Sequence, residues 1–135
     1  MQTADRDSKR RPGGLRSLPM LGSTRAFAGG LAAVDANGFV QPATADATLR
    51  IVGVFDAGAD NRTGGDGAIR ALVRRDDDCH GFKDGGVPSA ITAADVELEV
   101  YADADDTVVR SSTGRPKAGR ISEVVGGLVY VRFES

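Results

Sequence analysis

A chain of 135 residues with a formal net charge of −2, one cysteine and no tryptophan has room for one domain with a real core and too little for two ordinary ones. Aromatic residues are 5% of the chain against 41% hydrophobic residues overall, so Val, Ile, Leu and Ala must build a modest, flat core of the kind found between sheet faces. One cysteine excludes an internal disulfide, and no run has the length of a signal-peptide core or a membrane span, so synthesis in the cytoplasm is expected.

The net charge conceals two different materials. Residues 1–25 carry six basic side chains (Arg6, Lys9, Arg10, Arg11, Arg16 and Arg25) against Asp5 and Asp7, whereas the remainder carries eleven basic and seventeen acidic residues. The first segment also holds Pro12, Gly13, Gly14 and Pro19 and shows no apolar periodicity. Its hydrophobes are too few to offset the entropy of ordering it, which predicts a flexible basic arm over residues 1–25 ahead of a β domain over residues 26–135. Such an arm is either a solvated tail or a segment ordered on a partner.

From Ala26 onward, turn signals recur, and eighteen glycines favour short strands over helices. Asn37-Gly38 between two short apolar runs predicts a hairpin, because both residues tolerate positive φ. An apolar strand follows in "TLRIVGVF", then a loop through "ADNRTGG". Ile69, Ala71 and Val73 alternate with Arg70, Leu72 and Arg74, and Val96, Leu98 and Val100 alternate with Glu97, Glu99 and Tyr101, so each run predicts a half-buried antiparallel strand. Only "PSAITAADVE" offers helix, a single turn with Thr92 as N-cap and Asp95 three residues on. A closing hairpin folds around Gly126-Gly127, with Val129, Val131 and Phe133 on one face and Tyr130, Arg132 and Glu134 on the other. The expected fold is mostly β: a small antiparallel β-barrel or sandwich with one short helical turn and an extended N-terminal arm. Val96, Leu98, Val100, Val129, Val131 and Phe133 are its expected core.

The groups that could carry chemistry are few. Asp103, Asp105 and Asp106 fall between two predicted strands, where Asp caps turn amides, and a connecting turn is the reading that composition favours. A calcium loop would need further oxygen ligands, but Thr107, Val108 and Val109 follow. A glycosidase-like acid pair would need a raised pKa that nothing in the sequence supplies. Cys79 and His80 are adjacent, and neighbours in an extended segment point to opposite faces, which does not make a nucleophile and its base. Asp76, Asp78 and Asp84 begin an EF-hand spacing whose twelfth position is Val87 rather than glutamate. The glycines from Gly64 to Gly67 lack the lysine and helix of a phosphate loop. No catalytic residue, metal, cofactor or small-molecule substrate is expected. The acidic body suits nucleic acid poorly, so only the arm could reach phosphates.

The ordered segments "AFAGGLAAVDANGFVQPAT", "IVGVFDAG", "GAIRALVRRDDDCHGF", "AITAADVELEVYADADDTVV" and "KAGRISEVVGGLVYVRF" resemble the capsid cement, or head decoration, proteins of tailed bacteriophages. The likeness runs from about residue 26 to 133. It rests on order and spacing, above all in the last third, from the "AITAADV" turn through Tyr101, Thr107-Val108 and Ala118-Gly119-Arg120-Ile121 to Phe133. Glu97-Leu98-Glu99 departs from the glycine-containing approach that such proteins often show, and the arm is longer and more basic.

The resemblance implies a structural protein of the virion that sits on the outer surface of the head. It implies a trimer near local three-fold positions that bridges major capsid protein subunits, with no membrane partner. In that setting Arg6, Lys9, Arg10, Arg11, Arg16 and Arg25, with Leu15, Leu18 and Met20, would be the capsid-binding residues. The alternatives from other classes are a nucleic-acid-binding module acting through the arm and a non-catalytic accessory domain of an enzyme.

Overall fold

The computed structural model describes residues 15–75, 79–86 and 89–133. The expectations placed on Arg6, Lys9, Arg10, Arg11, Asp76, Asp78, Val87 and Glu134 lie outside them. Among the described residues the elements in chain order are β1 (Leu15–Pro19), β2 (Arg25–Ala26), β3 (Leu31–Val34), β4 (Val40–Pro42), β5 (Arg50–Phe55), β6 (Ala59–Asp60), β7 (Arg70–Arg74), β8 (His80–Asp84), a 3-10 turn (Ala93–Asp95), β9 (Glu99–Ala102), β10 (Thr107–Val109), β11 (Lys117–Val125) and β12 (Leu128–Arg132). The mostly β expectation therefore holds, and the single helical turn carries the expected capping box between Thr92 and Asp95.

The strands form a five-stranded sheet in the order β1-β7-β5-β3-β4, a closed barrel in the order β10-β8-β12-β11-β9, and a short β2-β6 ribbon. All pairs between strands are antiparallel except β8 with β10, whose parallel register (Thr107 opposite Lys83) closes the barrel. The first sheet curls far enough for Met20 to bridge Val40. Beneath this curl lies one core, of Met20, Ala32, Val34, Val40, Phe55, Ala71 and Val73 among others.

A larger core joins Leu31, Ala33 and Val54 of the sheet to Phe82, Val100, Val108, Ile121, Val129 and Val131 of the barrel. Strand β3 is buried on both faces because its alternate residues enter different cores. Burial of each large aliphatic side chain contributes about 1.5–3 kcal/mol, so the shared core binds sheet and barrel into one folding unit.

Both predicted hairpins form, with different turns. Gly126 and Gly127 both take positive φ, at 59° and 81°, as a two-residue hairpin between paired Val125 and Leu128 requires. In the first hairpin only Gly38 does so, at 84°. There the Asp35 carboxylate accepts hydrogen bonds from the amides of Asn37 and Phe39, so a side-chain cap replaces the second left-handed residue.

Two expectations are corrected. The arm drawn over residues 1–25 cannot extend to residue 25, since Leu15–Pro19 pairs along its whole length with β7 and Met20 is completely buried. Its partner strand lies more than fifty residues away in sequence, beyond anything local composition can register. Val96 and Leu98 are not core either, being 37% and 42% exposed. The chain turns at Glu97, whose φ of 72° is left-handed, and the strand begins only at Glu99. A left-handed glutamate costs about 1–2 kcal/mol. Three contacts offset this: its amide donates to the Ile121 carbonyl, its own carbonyl accepts from Arg120, and its carboxylate pairs with Arg132.

Candidate functional site

Asp103, Asp105 and Asp106 connect β9 to β10 as expected, and each is built into the fold differently. Asp103 accepts from the Arg115 guanidinium at 2.8 Å. Asp106 accepts from the Thr107 hydroxyl and pairs with Lys83 at 3.3 Å, and these two contacts hold its carboxyl below the usual range, the hydroxyl bond first. The Asp105 carbonyl accepts from the Leu31 amide at 2.7 Å, which ties the turn to the edge of the first sheet. Its carboxylate lies close to Gly30, where a Cβ would stand 3.2 Å from Oδ2.

Asp105 supplies what the sequence did not show. Burial, and then the neighbouring charge of Asp106, push its carboxyl up while that of Asp106 moves down. The two adjacent acids are thus held in different states of readiness to ionise. Desolvation favours the neutral form of Asp105, and donors favour the charged form of Asp106.

These acids border a groove of about 550 Å³ between sheet and barrel. One wall is the β2–β3 connection, Phe27 to Gly30, and the other is formed by Phe82, Lys83 and Leu128. Phe27 is 57% exposed, with the Arg25 guanidinium 4.8 Å from its ring centroid, a cation–π arrangement that holds the ring at the rim. The positive φ of Gly29 (85°) lets the connection fold back so that Phe27 stays outside. An apolar floor rimmed by one ammonium and two carboxylates can receive a side chain from another molecule. Among the described residues no group of three or more His, Cys, Asp or Glu could hold a metal ion.

A second polar cluster surrounds Glu99. Its carboxylate accepts from the Tyr101 hydroxyl at 2.9 Å and pairs with Lys117 and Arg120 at 3.1 and 3.7 Å. These contacts lower its carboxyl, the tyrosine bond most, and raise the Tyr101 phenol. Its own carbonyl accepts from Arg110. The cluster knits β9 to β11.

Of the remaining sequence candidates, His80, Asp84 and the glycines from Gly64 make contacts within the fold. His80 stacks against Phe133 with ring centroids 5.6 Å apart, while Cys79 is exposed just before β8. Asp84 accepts from the amides of Gly86 and Ile91 and so shapes the loop after β8. The glycine-rich loop from Gly64 is anchored by buried Asn61, whose side-chain amide donates to the carbonyls of Met20, Leu21 and Gly65.

Of the residues assigned to capsid binding, Leu15, Arg16 and Leu18 lie in β1, and Leu18 packs against the first core. Met20 is unavailable as an anchor because it is core itself. Arg25 lies in β2 at the groove rim. Sequence reasoning missed the groove because residues 27–30, 81–83, 105–106 and 128 meet only through tertiary packing. The one local signal was the pair of glycines after Phe27. Comparison with protein-family models, with curated proteins and with solved structures finds no match.

Proposed function

We propose that this protein is a capsid decoration, or cement, protein of a tailed bacteriophage, which binds the outer surface of the head and bridges major capsid protein subunits. The observation that carries the reading is the ordered series of segments between residues 26 and 133 that resembles such proteins. Three features of the molecule support it. Asp84, Asp103 and Asp106 are spent on turns and ion pairs of the fold. An apolar groove with an exposed phenylalanine at its rim faces outward. The basic residues Arg6, Lys9, Arg10 and Arg11 precede an edge strand of the first sheet.

The function is then mechanical. A protein that contacts two or three subunits at once makes their separation cost several contacts together, because each further contact forms at high effective concentration. Basic residues ahead of β1 would pair with acidic capsid surface, as a trimer of bodies near a local three-fold position would allow. Expanded heads carrying the protein should survive heating that bursts undecorated heads. Equal survival, or binding to duplex DNA in preference to heads, would favour the nucleic-acid reading instead.

A further inference from the structure

The first sheet gathers three arginines over one cleft. Arg16 stands in β1 opposite Val73, Arg50 in β5 opposite Val34, and Arg75 directly after β7. The cleft they line measures about 390 Å³, has Leu18, Ile51 and Val52 among its apolar walls, and includes no acidic residue among the described ones. The Arg75 Cβ lies beside Gly53, where an added Cβ would stand 3.2 Å from it.

Every other described arginine is engaged. Arg62, Arg74, Arg115, Arg120 and Arg132 have acid partners, Arg70 and Arg110 bond to Ser17 and to the Glu99 carbonyl, and Arg25 covers Phe27. Arg16, Arg50 and Arg75 make no ion pair or hydrogen bond to a described residue. All three line the same cleft.

Like charges that share one cleft with no counter-charge among the described residues repel one another, and an entering anion relieves that repulsion. A guanidinium fork matches a carboxylate with two parallel hydrogen bonds. The apolar walls call for an aliphatic side chain between the carboxylates. Nucleic acid fits less well, because outside residues 1–25 acids outnumber bases seventeen to eleven and a duplex long enough to bind would lie against that acidic body.

We propose that the cleft between β1, β5 and the end of β7 is a docking site for an acidic segment of a partner protein, carboxylates flanking an aliphatic side chain. The partner's identity as capsid protein rests on the function proposed above, whereas the recognition of carboxylates does not.

The test uses the full chain, a capped Glu-Leu-Glu-Leu-Glu peptide, the matching Gln-Leu-Gln-Leu-Gln peptide and a duplex DNA, each titrated at low salt. Side-chain Nε–Hε resonances of the arginines give the readout. The glutamate peptide should saturably shift Arg16, Arg50 and Arg75 and bind at least tenfold more tightly than the glutamine peptide. Arg50→Gln and Arg75→Gln should each weaken it about five- to tenfold while leaving Tm unchanged. Equal affinity for both peptides, shifts confined to other arginines, no saturable shift at all, or tighter binding of the duplex to the same three arginines would each overturn the proposal. Peptide binding without attachment to heads would overturn the capsid reading alone. Attachment to heads without peptide selectivity would overturn this proposal alone.

Discussion

The barrel and the first sheet differ in how far their basic residues are matched, although Arg74 of the sheet also pairs with Asp56. In the barrel, Lys83, Arg115, Lys117, Arg120 and Arg132 all pair with acids of the same unit, and ring closure leaves no strand without two neighbours. The first sheet has β1 and β4 at its margins, closed only by the Met20–Val40 bridge, and holds three arginines without a described partner. Individually, exposed ion pairs contribute little, about 0–1 kcal/mol each, so the contrast concerns interaction more than stability. A region whose charges are matched internally presents little for a partner to complement. A region left unmatched is where association gains the most. The proposed docking site accordingly lies on the sheet, not on the barrel.

The largest effect should come from breaking the core that the two regions share. Val108 is completely buried in it, and Val108→Asp places a charge there without a partner, costing roughly 5 kcal/mol, comparable with the whole stability of a small domain. Thermal unfolding should show the sheet lost together with the barrel, because Leu31, Ala33 and Val54 pack on the same core. A retained sheet would mean that the two regions fold separately.

Next in size is Gly53→Ala. Its φ of 143° is closed to side chains, and a Cβ there would stand 2.2 Å from the Arg74 carbonyl oxygen. The expected cost is about 2–3 kcal/mol, measured by denaturant unfolding, with an altered cleft because β5 and β7 must separate. Asn61→Ala follows. It removes a buried amide that serves three carbonyls, at about 1–3 kcal/mol. Hydrogen exchange should then quicken around Met20 and the Gly64–Gly67 loop and stay slow in the barrel.

The smallest change tests the junction between the regions. Because burial and Asp106 raise the Asp105 carboxyl, the native state holds the Asp105 proton more readily than the unfolded chain does. The stabilising contribution of protonated Asp105 is therefore complete below the ordinary carboxylate range and lost as pH rises through the raised value. Asp105→Asn removes this dependence and keeps an acceptor for the turn amides. The variant should be slightly more stable than the parent at pH 7, with the difference closing on acidification. A variant less stable at pH 7 would mean that the charge itself is used.

Much of the barrel was legible in the sequence, and less of the sheet. Val129, Val131 and Phe133 alternate cleanly with Tyr130 and Arg132, and the glycine pair before them leaves little choice of turn. Thr92 and Asp95 announced a single helical turn in the same way. Where local rules failed, a distant partner had overridden them. Strand β1 reads as tail until β7 is set beside it, and β3 shows no alternation because both its faces are buried. Val96 and Leu98 kept the strand period while Glu97 had already turned the chain. The groove and the arginine cleft were illegible for a related reason. Each is assembled from residues whose types are ordinary, and only their convergence distinguishes them. The raised carboxyl of Asp105 likewise depends on burial and on Asp106 together, and no spacing rule reports burial.

The proposed function requires that this body attach to an assembled shell from outside. Electron microscopy of undecorated, expanded heads mixed with the purified full chain measures this directly. Added density is expected on the outer surface, at symmetry-related positions bridging neighbouring capsid subunits. Heads that remain bare at saturating protein would contradict it.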